Sequence, residues 1–282
     1  MTEFDYVEEA QQMETVRQNL TKAGLAGKGK KCLVPKPYME YCTKRVLVME
    51  ELRGEKLAVA LKDDMMRHAE REGKSAEEFE QEMKQKVLEA KERGEELMGP
   101  SAEQFDKYIS ILDKQRSASN AFKIFYNSLV AWLPGRQRAR IENRSSLPIN
   151  HAKMIDDLFC IHGHEVLVDG CFNGDPHPGN ILLVREFDGN PTLGLIDYGQ
   201  VKRLSKETRH LLCKLIIAMD DDNVEETVRL VQEAGLKTQN MDPHVHYLYA
   251  KVSFDQDNIK LLGGKVSLRN SIVCWLLVCA FG

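Results

Sequence analysis

The 282 residues provide for one large domain or two small ones, with enough chain to bury a sizeable core. At 43% apolar and 29% charged residues the composition is that of an ordinary globular fold, and a net charge of -4 argues against nucleic acid as the main partner. Seven scattered cysteines, an odd number without a C-x-x-C, exclude a disulfide framework and a zinc site and point to a reducing compartment.

In chain order, residues 3–20 read as an acidic helix with Phe4, Val7, Met13 and Val16 among its apolar positions and Gly24 near its end. A Gly/Lys loop, 24–31, contains a G-x-x-x-x-G-K match, but Lys31 replaces the Ser/Thr of a P-loop. Strand-like runs follow at 32–34 and 45–49, the second continuing through Glu50, Glu51 and Leu52 to a turn at Gly54. Ala58-Val-Ala-Leu-Lys62 imitates the V-A-I-K of kinases, yet it lies after the run that reads as a hinge.

From 62 to 99 the chain turns to Glu, Lys, Ala and Met. Ser75 with Glu78 makes a capping box, as does Ser101 with Gln104, and Phe79, Met83 and Val87 recur every four residues. This stretch reads as a charged, mostly solvated pair of helices inserted between functional parts. Arg136, Arg138, Arg140 and Arg144 read as a solvated loop, with contact to anionic lipid headgroups as the minority reading. Residues 152–162 are predicted helical. Ser205 caps a further helix, and Asp222/Asn223 open another with Val224, Val228 and Val231 inward and Gly235 at its end. After Lys260 no pattern stands out, and the longest apolar run, 272–281, is too short to span a bilayer.

The chemistry concentrates at 172–199. Two apolar runs, 181–184 and 193–196, flank a polar loop with Asp188-Gly-Asn-Pro191, which predicts a β-hairpin. Pairing Val184 with Leu193 sets Asn180 opposite Asp197, so an amide oxygen and a carboxylate converge at one end, a ligand set suited to Mg²⁺. Asp175 precedes Asn180 by five positions in a Pro/Gly-stiffened loop. D-x-x-x-x-N followed by a D-F-G-like turn matches a kinase catalytic loop, and hence a phosphate-handling site. His177 reads as shaping this loop, since the carboxylate of Asp175 already fits the role of base.

The D-P-H-P-G-N loop at 175–180 and Asp197-Tyr-Gly199 resemble the UbiB/ADCK (aarF-domain) family of atypical, protein-kinase-like proteins. Glu3-Phe-Asp5 through Glu9-Ala10 resembles the family's E-x-D motif and helix C glutamate, and 34–35 with 44–52 resemble the strands entering the hinge. The resemblance covers about residues 3–57 and 147–235. It implies an α+β, protein-kinase-like fold: a partial N-lobe at 1–57, a helical insertion and linker at 58–146, a mainly helical C-lobe at 147–260 and an unassigned tail at 261–282.

By the same resemblance Asp175 takes the catalytic-base position and Asn180 and Asp197 the metal positions. Glu9 becomes the partner of a strand lysine, and Glu50 to Leu52 offer backbone groups to adenine. The implied cofactors are ATP and Mg²⁺. The implied role is support of ubiquinone or other prenyl-lipid metabolism as a kinase or ATPase. Prenyl lipids or lipid-biosynthesis enzymes are the implied partners, with peripheral membrane contact and a mitochondrial setting, the plastid being the alternative.

The family's Ala-rich nucleotide loop, strand lysine and K-x-G-Q segment belong before Glu3. No targeting peptide precedes Phe4, so the chain reads as a partial kinase-like domain, weak or inactive as it stands. A catalytically inactive kinase-like scaffold is the alternative. A third reading, an aminoglycoside-kinase-type phosphotransferase, shares the D-x-x-x-x-N logic but explains neither the E-x-D segment nor the second proline of the loop.

Overall fold

The computed structural model describes residues 5–93, 100–130, 133, 136–144, 147–175, 177–185, 191–236 and 242–254; the segment after residue 260 and its apolar run lie outside the described residues. Helix α1 (Tyr6–Lys22) begins later than the apolar pattern suggests, because Asp5 caps it, its carboxylate accepting the Val7 N–H at 3.1 Å. Ala10, Met13, Val16 and Leu20, three or four positions apart, form its fully buried face.

The loop after α1 has glycines at φ +74° (Gly24) and +70° (Gly29) and leads from a helix into strand β1 (Cys32–Leu33). A phosphate-binding P-loop runs the other way, from strand into helix, so the match at 24–30 is incidental. Residues 45–49, predicted as a strand, form no continuous ladder. They are tied to 36–38 by Tyr38 N–H to Val48 O (2.8 Å) and Glu50 N–H to Lys36 O (2.9 Å), with an isolated bridge between Pro37 and Met49. The ladder goes no further because the Lys36 N–H is given to the Glu50 carboxylate (3.3 Å) and the Val48 N–H to Cys42 Sγ (3.4 Å).

Gly54, expected at a turn, instead opens strand β2 (Gly54–Lys56), which pairs antiparallel with β4 (Ile181–Val184). A Cβ at Gly54 would lie 2.7 Å from the Leu183 carbonyl oxygen, so only glycine permits this approach. The four-stranded sheet has the order β1-β5-β4-β2, with β5 (Thr192–Leu195) parallel to β1 and antiparallel to β4. β3 (Cys171–Asn173) and β6 (Val201–Arg203) make a second, two-stranded sheet.

The predicted hairpin is present, one residue out of register: Val184 pairs with Thr192, not Leu193, and Asn180 stands opposite Ile196, whose N–H donates to the Asn180 carbonyl at 3.2 Å. Packing sets the shift. It places Leu183 and Leu193, each 1% exposed, as direct partners in the core with Met13, Val16 and Tyr198.

The remainder is mainly helical: α2 (Leu57–Arg71), α3 (Ala76–Arg93), α4 (Ala102–Leu129), α5 (His151–Gly163), α6 (Lys206–Asp220), α7 (Val224–Glu233) and α8 (Pro243–Phe254). The molecule is thus α+β, as expected. Both predicted capping boxes form: Ser75 with Glu78, and Ser101 with Gln104. Ser205 and Asn223 cap α6 and α7.

Two expectations about faces differ. Val224 is 48% exposed, because as the first residue of α7 it precedes the buried stripe Thr227, Val228, Leu230 and Val231. Helix α2 is not simply solvated within the stretch from 62, since Asp64 and Ala69 are buried. Its Asp64 carboxylate accepts from the Ile149 N–H (3.2 Å) and contacts His151 Nε2 (3.1 Å) and Arg67 (3.3 Å). α2 thereby ties the start of α5 to the sheet.

Candidate functional site

The hairpin's open end, the 173–180 loop and the turn after β5 meet at one corner. Asn180 Nδ2 donates to Asp197 Oδ2 at 2.6 Å, so the two predicted metal-position residues are in direct contact despite the register shift. The other Asp197 oxygen accepts the Gly199 N–H at 3.0 Å, an Asx-type turn that fixes the carboxylate. Glu9 arrives from α1. Glu9 Oε2 and Asp197 Oδ1 lie 3.7 and 3.4 Å from where a Cβ on Gly199 would sit, so the two carboxylates flank one glycine.

Burial, joined by the Asp197 charge, pushes the Glu9 carboxyl above its ordinary 4.5, against the pull of the Tyr198 N–H that donates to it. A raised acid binds its proton more tightly in the folded chain, so the charged carboxylate, half-buried and next to Asp197, destabilises the fold above the raised value, a cost relieved as pH falls toward 4.5. Glu9→Gln is therefore expected to raise the melting temperature at pH 7, with the advantage shrinking on acidification; thermal unfolding across pH checks it.

Asp175 is exposed on the loop. Its N–H donates to Asn173 Oδ1 (2.9 Å) and its carbonyl accepts the His177 N–H (2.7 Å), which leaves the carboxylate turned to solvent. His177 shapes the loop, its Nδ1 accepting the Gly179 N–H at 3.0 Å. Glu50 is locked to Lys36 twice, through its own N–H and through its carboxylate, which accepts the Lys36 N–H at 3.3 Å. Leu52 packs over β5, its Cδ1 3.2 Å from where a Cβ on Gly194 would lie, which sets the hinge run against the hairpin. Lys62 is exposed on α2 and, among the described residues, makes no ion pair with Glu9; its charge acts on Glu80.

Two contributors escape a reading by motif. Asn173 bridges the loops, Nδ2 donating to the Asp197 carbonyl at 2.8 Å while Oδ1 holds the Asp175 N–H. Glu165, 2% exposed and pushed up by burial, contacts His162 Nδ1 through Oε2 at 3.3 Å and feels the nearby Asn173 N–H, which pulls its carboxyl the other way. Neither belongs to a short motif; the pairing of Asn173 with Val201 across β3 and β6 is what brings them in.

Tyr198 is 1% exposed, and its hydroxyl finds no hydrogen-bond partner among the described residues. A buried hydroxyl left unpaired costs on the order of 1–3 kcal/mol. Tyr198→Phe is expected to stabilise the fold by about 1 kcal/mol, measurable by urea denaturation, with the ring's packing retained.

Comparison with known proteins places this corner in a wider setting. A family model of the ABC1 atypical kinase-like domain matches residues 1–90 and 128–231. An uncharacterized protein of Synechocystis, slr0889, is 41% identical over 76 residues, 27% of this chain and 18% of that protein. A probable serine/threonine-protein kinase of Dictyostelium discoideum, abkB, is 33% identical over 79 residues, 27% of this chain and 12% of the relative. A probable protein kinase UbiB of Blochmanniella pennsylvanica is 32% identical over 71 residues, 25% of this chain and 13% of the relative. Each match spans less than a fifth of the relative's own length.

Proposed function

The chain belongs to the ABC1 atypical kinase-like family, and on that premise we propose that it binds ATP with Mg²⁺ at the corner built by Asn180 and Asp197. Its role on this reading is that of an atypical kinase or ATPase supporting ubiquinone or another prenyl lipid, in a mitochondrial or plastid setting. The observation that carries the reading is the 2.6 Å contact between Asn180 and Asp197 beside the raised Glu9 carboxyl. With Nδ2 given to Asp197, the Asn180 Oδ1 remains as a ligand oxygen. An amide oxygen and carboxylates form a hard-oxygen set that suits Mg²⁺, and a divalent cation there offsets the repulsion between Glu9 and Asp197.

When bound, the metal supplies charge neutralisation to the triphosphate. The chain's own residues do the positioning. Asn173 couples the Asp175 backbone to the Asp197 carbonyl, so the base loop and the metal turn move together. Asp175 is assigned the proton of the attacking hydroxyl. Because the Glu50 N–H is given to Lys36, the groups left for adenine are the Glu50 carbonyl and the Leu52 N–H.

Titration of residues 1–282 with a fluorescent ATP analogue, with and without Mg²⁺, tests this reading. Binding that Mg²⁺ strengthens supports it; binding indifferent to Mg²⁺, or none, overturns it. A second reading is a non-catalytic kinase-like scaffold that holds nucleotide without turning it over. Mg²⁺-dependent binding without phosphate release, unchanged by Asp175→Asn, selects that second reading.

A further inference from the structure

Strand β6 and the start of α6 bring cations to the loop that carries Asp175. From Gln200 to His210 the sequence holds Lys202, Arg203, Lys206, Arg209 and His210 against a single acid, Glu207, in a chain whose net charge is -4. Most of these charges are turned elsewhere. Arg209 donates to the Val168 carbonyl, Arg203 stands opposite Cys171 and acts on its thiol, and Lys206 lies in the first turn of α6, beyond the Ser205 cap.

Lys202 differs. It pairs with Phe172 across β3 and β6, and its stem crosses diagonally to Gly174, two residues on. A Cβ on Gly174 would lie 2.8 Å from Lys202 Cγ and 3.4 Å from Lys202 Cε, so the stem lies along the glycine. The Gln200 carbonyl oxygen, 2.9 Å from the same point, accepts the Gly174 N–H at 2.7 Å. Only a residue without a Cβ lets the lysine stem and this carbonyl approach the loop so closely. Lys202 is exposed and makes no ion pair among the described residues.

The residue after Gly174 is Asp175, itself exposed. The stem therefore delivers an ammonium to the flank of the base loop. Charge gives that ammonium a use. Glu9, Asp175 and Asp197 make the corner acidic, and a triphosphate carries more negative charge than one Mg²⁺ offsets. Asn180 and Asp197 hold the metal, while the acceptor hydroxyl meets Asp175, so the phosphate that comes to the Asp175 loop is the terminal one. A compact cation on a flexible stem can meet it there, and electrostatic stabilisation of the transferred group is the main service a protein performs in this chemistry.

We infer that Lys202 is a γ-phosphate-binding cation: its stem, laid over Gly174, presents the ammonium to the terminal phosphate of a nucleotide held at Asn180 and Asp197. The inference rests on the nucleotide reading of that corner and adds the residue that distinguishes a triphosphate from a diphosphate.

Titrations in Mg²⁺ with ribose-labelled fluorescent analogues of ATP and of ADP test it, on the parent chain, Lys202→Met, Lys202→Arg and Arg203→Met. Methionine keeps an apolar stem over Gly174 and removes the charge. Lys202→Met is expected to weaken binding of the ATP analogue about tenfold, through loss of a charge-assisted hydrogen bond in an open cleft, and to leave the ADP analogue within about twofold. Lys202→Arg retains the cation and should keep most of the parent's ATP-to-ADP affinity ratio. Arg203→Met removes a like charge one residue away and should leave that ratio unchanged, which separates a contact from the general field of the strand. Melting temperatures should match the parent's in all three variants, because both side chains are exposed.

A ratio unaffected by Lys202→Met overturns the inference, while Mg²⁺-dependent binding by the parent leaves the nucleotide reading standing. Equal weakening of both nucleotides also overturns it, since the ammonium then serves the inner phosphates. So does an equal fall in the ratio with Arg203→Met, which assigns the effect to the field, or with Lys202→Arg, which assigns it to shape. A parent chain that binds neither nucleotide overturns the site reading and the inference together.

Discussion

Asp197→Asn is expected to remove the Mg²⁺ dependence of nucleotide binding while leaving the fold in place. The carboxylate has three neighbours: the Asn180 amide at 2.6 Å, the Gly199 N–H at 3.0 Å and the Glu9 carboxylate across Gly199. An asparagine keeps one acceptor oxygen, and a flip of the Asn180 amide turns its oxygen toward the new NH₂ group, so most of the hydrogen bonding survives. What disappears is the charge. Its loss relieves Glu9 but removes the anionic ligand on which a divalent cation depends.

Stability should therefore change by less than about 1 kcal/mol. The gain in ATP-analogue affinity on adding Mg²⁺ should fall by roughly tenfold or more, about 1.4 kcal/mol. Asp175→Asn provides the contrast. Its carboxylate faces solvent and its loop is held through backbone groups, so binding should stay within about twofold, roughly 0.4 kcal/mol. Parallel titrations of the two variants and the parent, each with a thermal melt, measure the separation. An Asp197→Asn protein that retains the full Mg²⁺ effect places the metal elsewhere.

The largest expected loss of stability belongs to Asp64→Ala, far from any motif. The Asp64 side chain is 11% exposed and holds the Ile149 N–H, His151 and Arg67 together where α2 meets the start of α5. Truncation leaves the N–H of Ile149, itself 1% exposed, without its acceptor and removes the carboxylate that Arg67 and His151 contact. A deleted partner of a nearly buried, hydrogen-bonded charge costs roughly 3 kcal/mol. Denaturant unfolding should show this as a lower midpoint with an unchanged slope.

The same network predicts acid sensitivity. Burial by itself raises the Asp64 pKa, but the His151, Ile149 and Arg67 hydrogen bonds outweigh it and hold the group below its ordinary 3.8. A depressed acid contributes stability that is complete above 3.8 and is lost as pH falls through its native value. The parent should therefore lose stability below about pH 4 more steeply than Asp64→Asn, a difference that melts at successive pH values will show.

Local chemistry made much of this protein legible. The apolar runs on either side of 185–192 announced the hairpin. Ser75, Ser101, Ser205 and Asn223 announced helix starts, because a side-chain cap acts within three residues of its own position. The D-P-H-P-G-N loop and Asp197-Tyr-Gly199 pointed to the corner where Asn180 and Asp197 meet, since a hairpin converts sequence spacing into proximity.

What depended on distant parts of the chain was decided only in three dimensions. The hairpin register slipped by one residue because Leu183 and Leu193 had to meet in a core shared with α1, and no turn signal carries that demand. Residues 45–49 read as a strand, yet the side chains of Glu50 and Cys42 take the Lys36 and Val48 N–H groups that a ladder would have used. α2 read as solvated from residue 62 because most side chains there are polar, while Asp64 acquires its partners from residues far along the chain. Helix α4 shows the limit most plainly. Its periodicity defines two faces equally well, and only the grip of Asn120 and Asn127 on Glu142 and Ala139 decided that the polar face turns inward and leaves Phe122 and Phe125 in water.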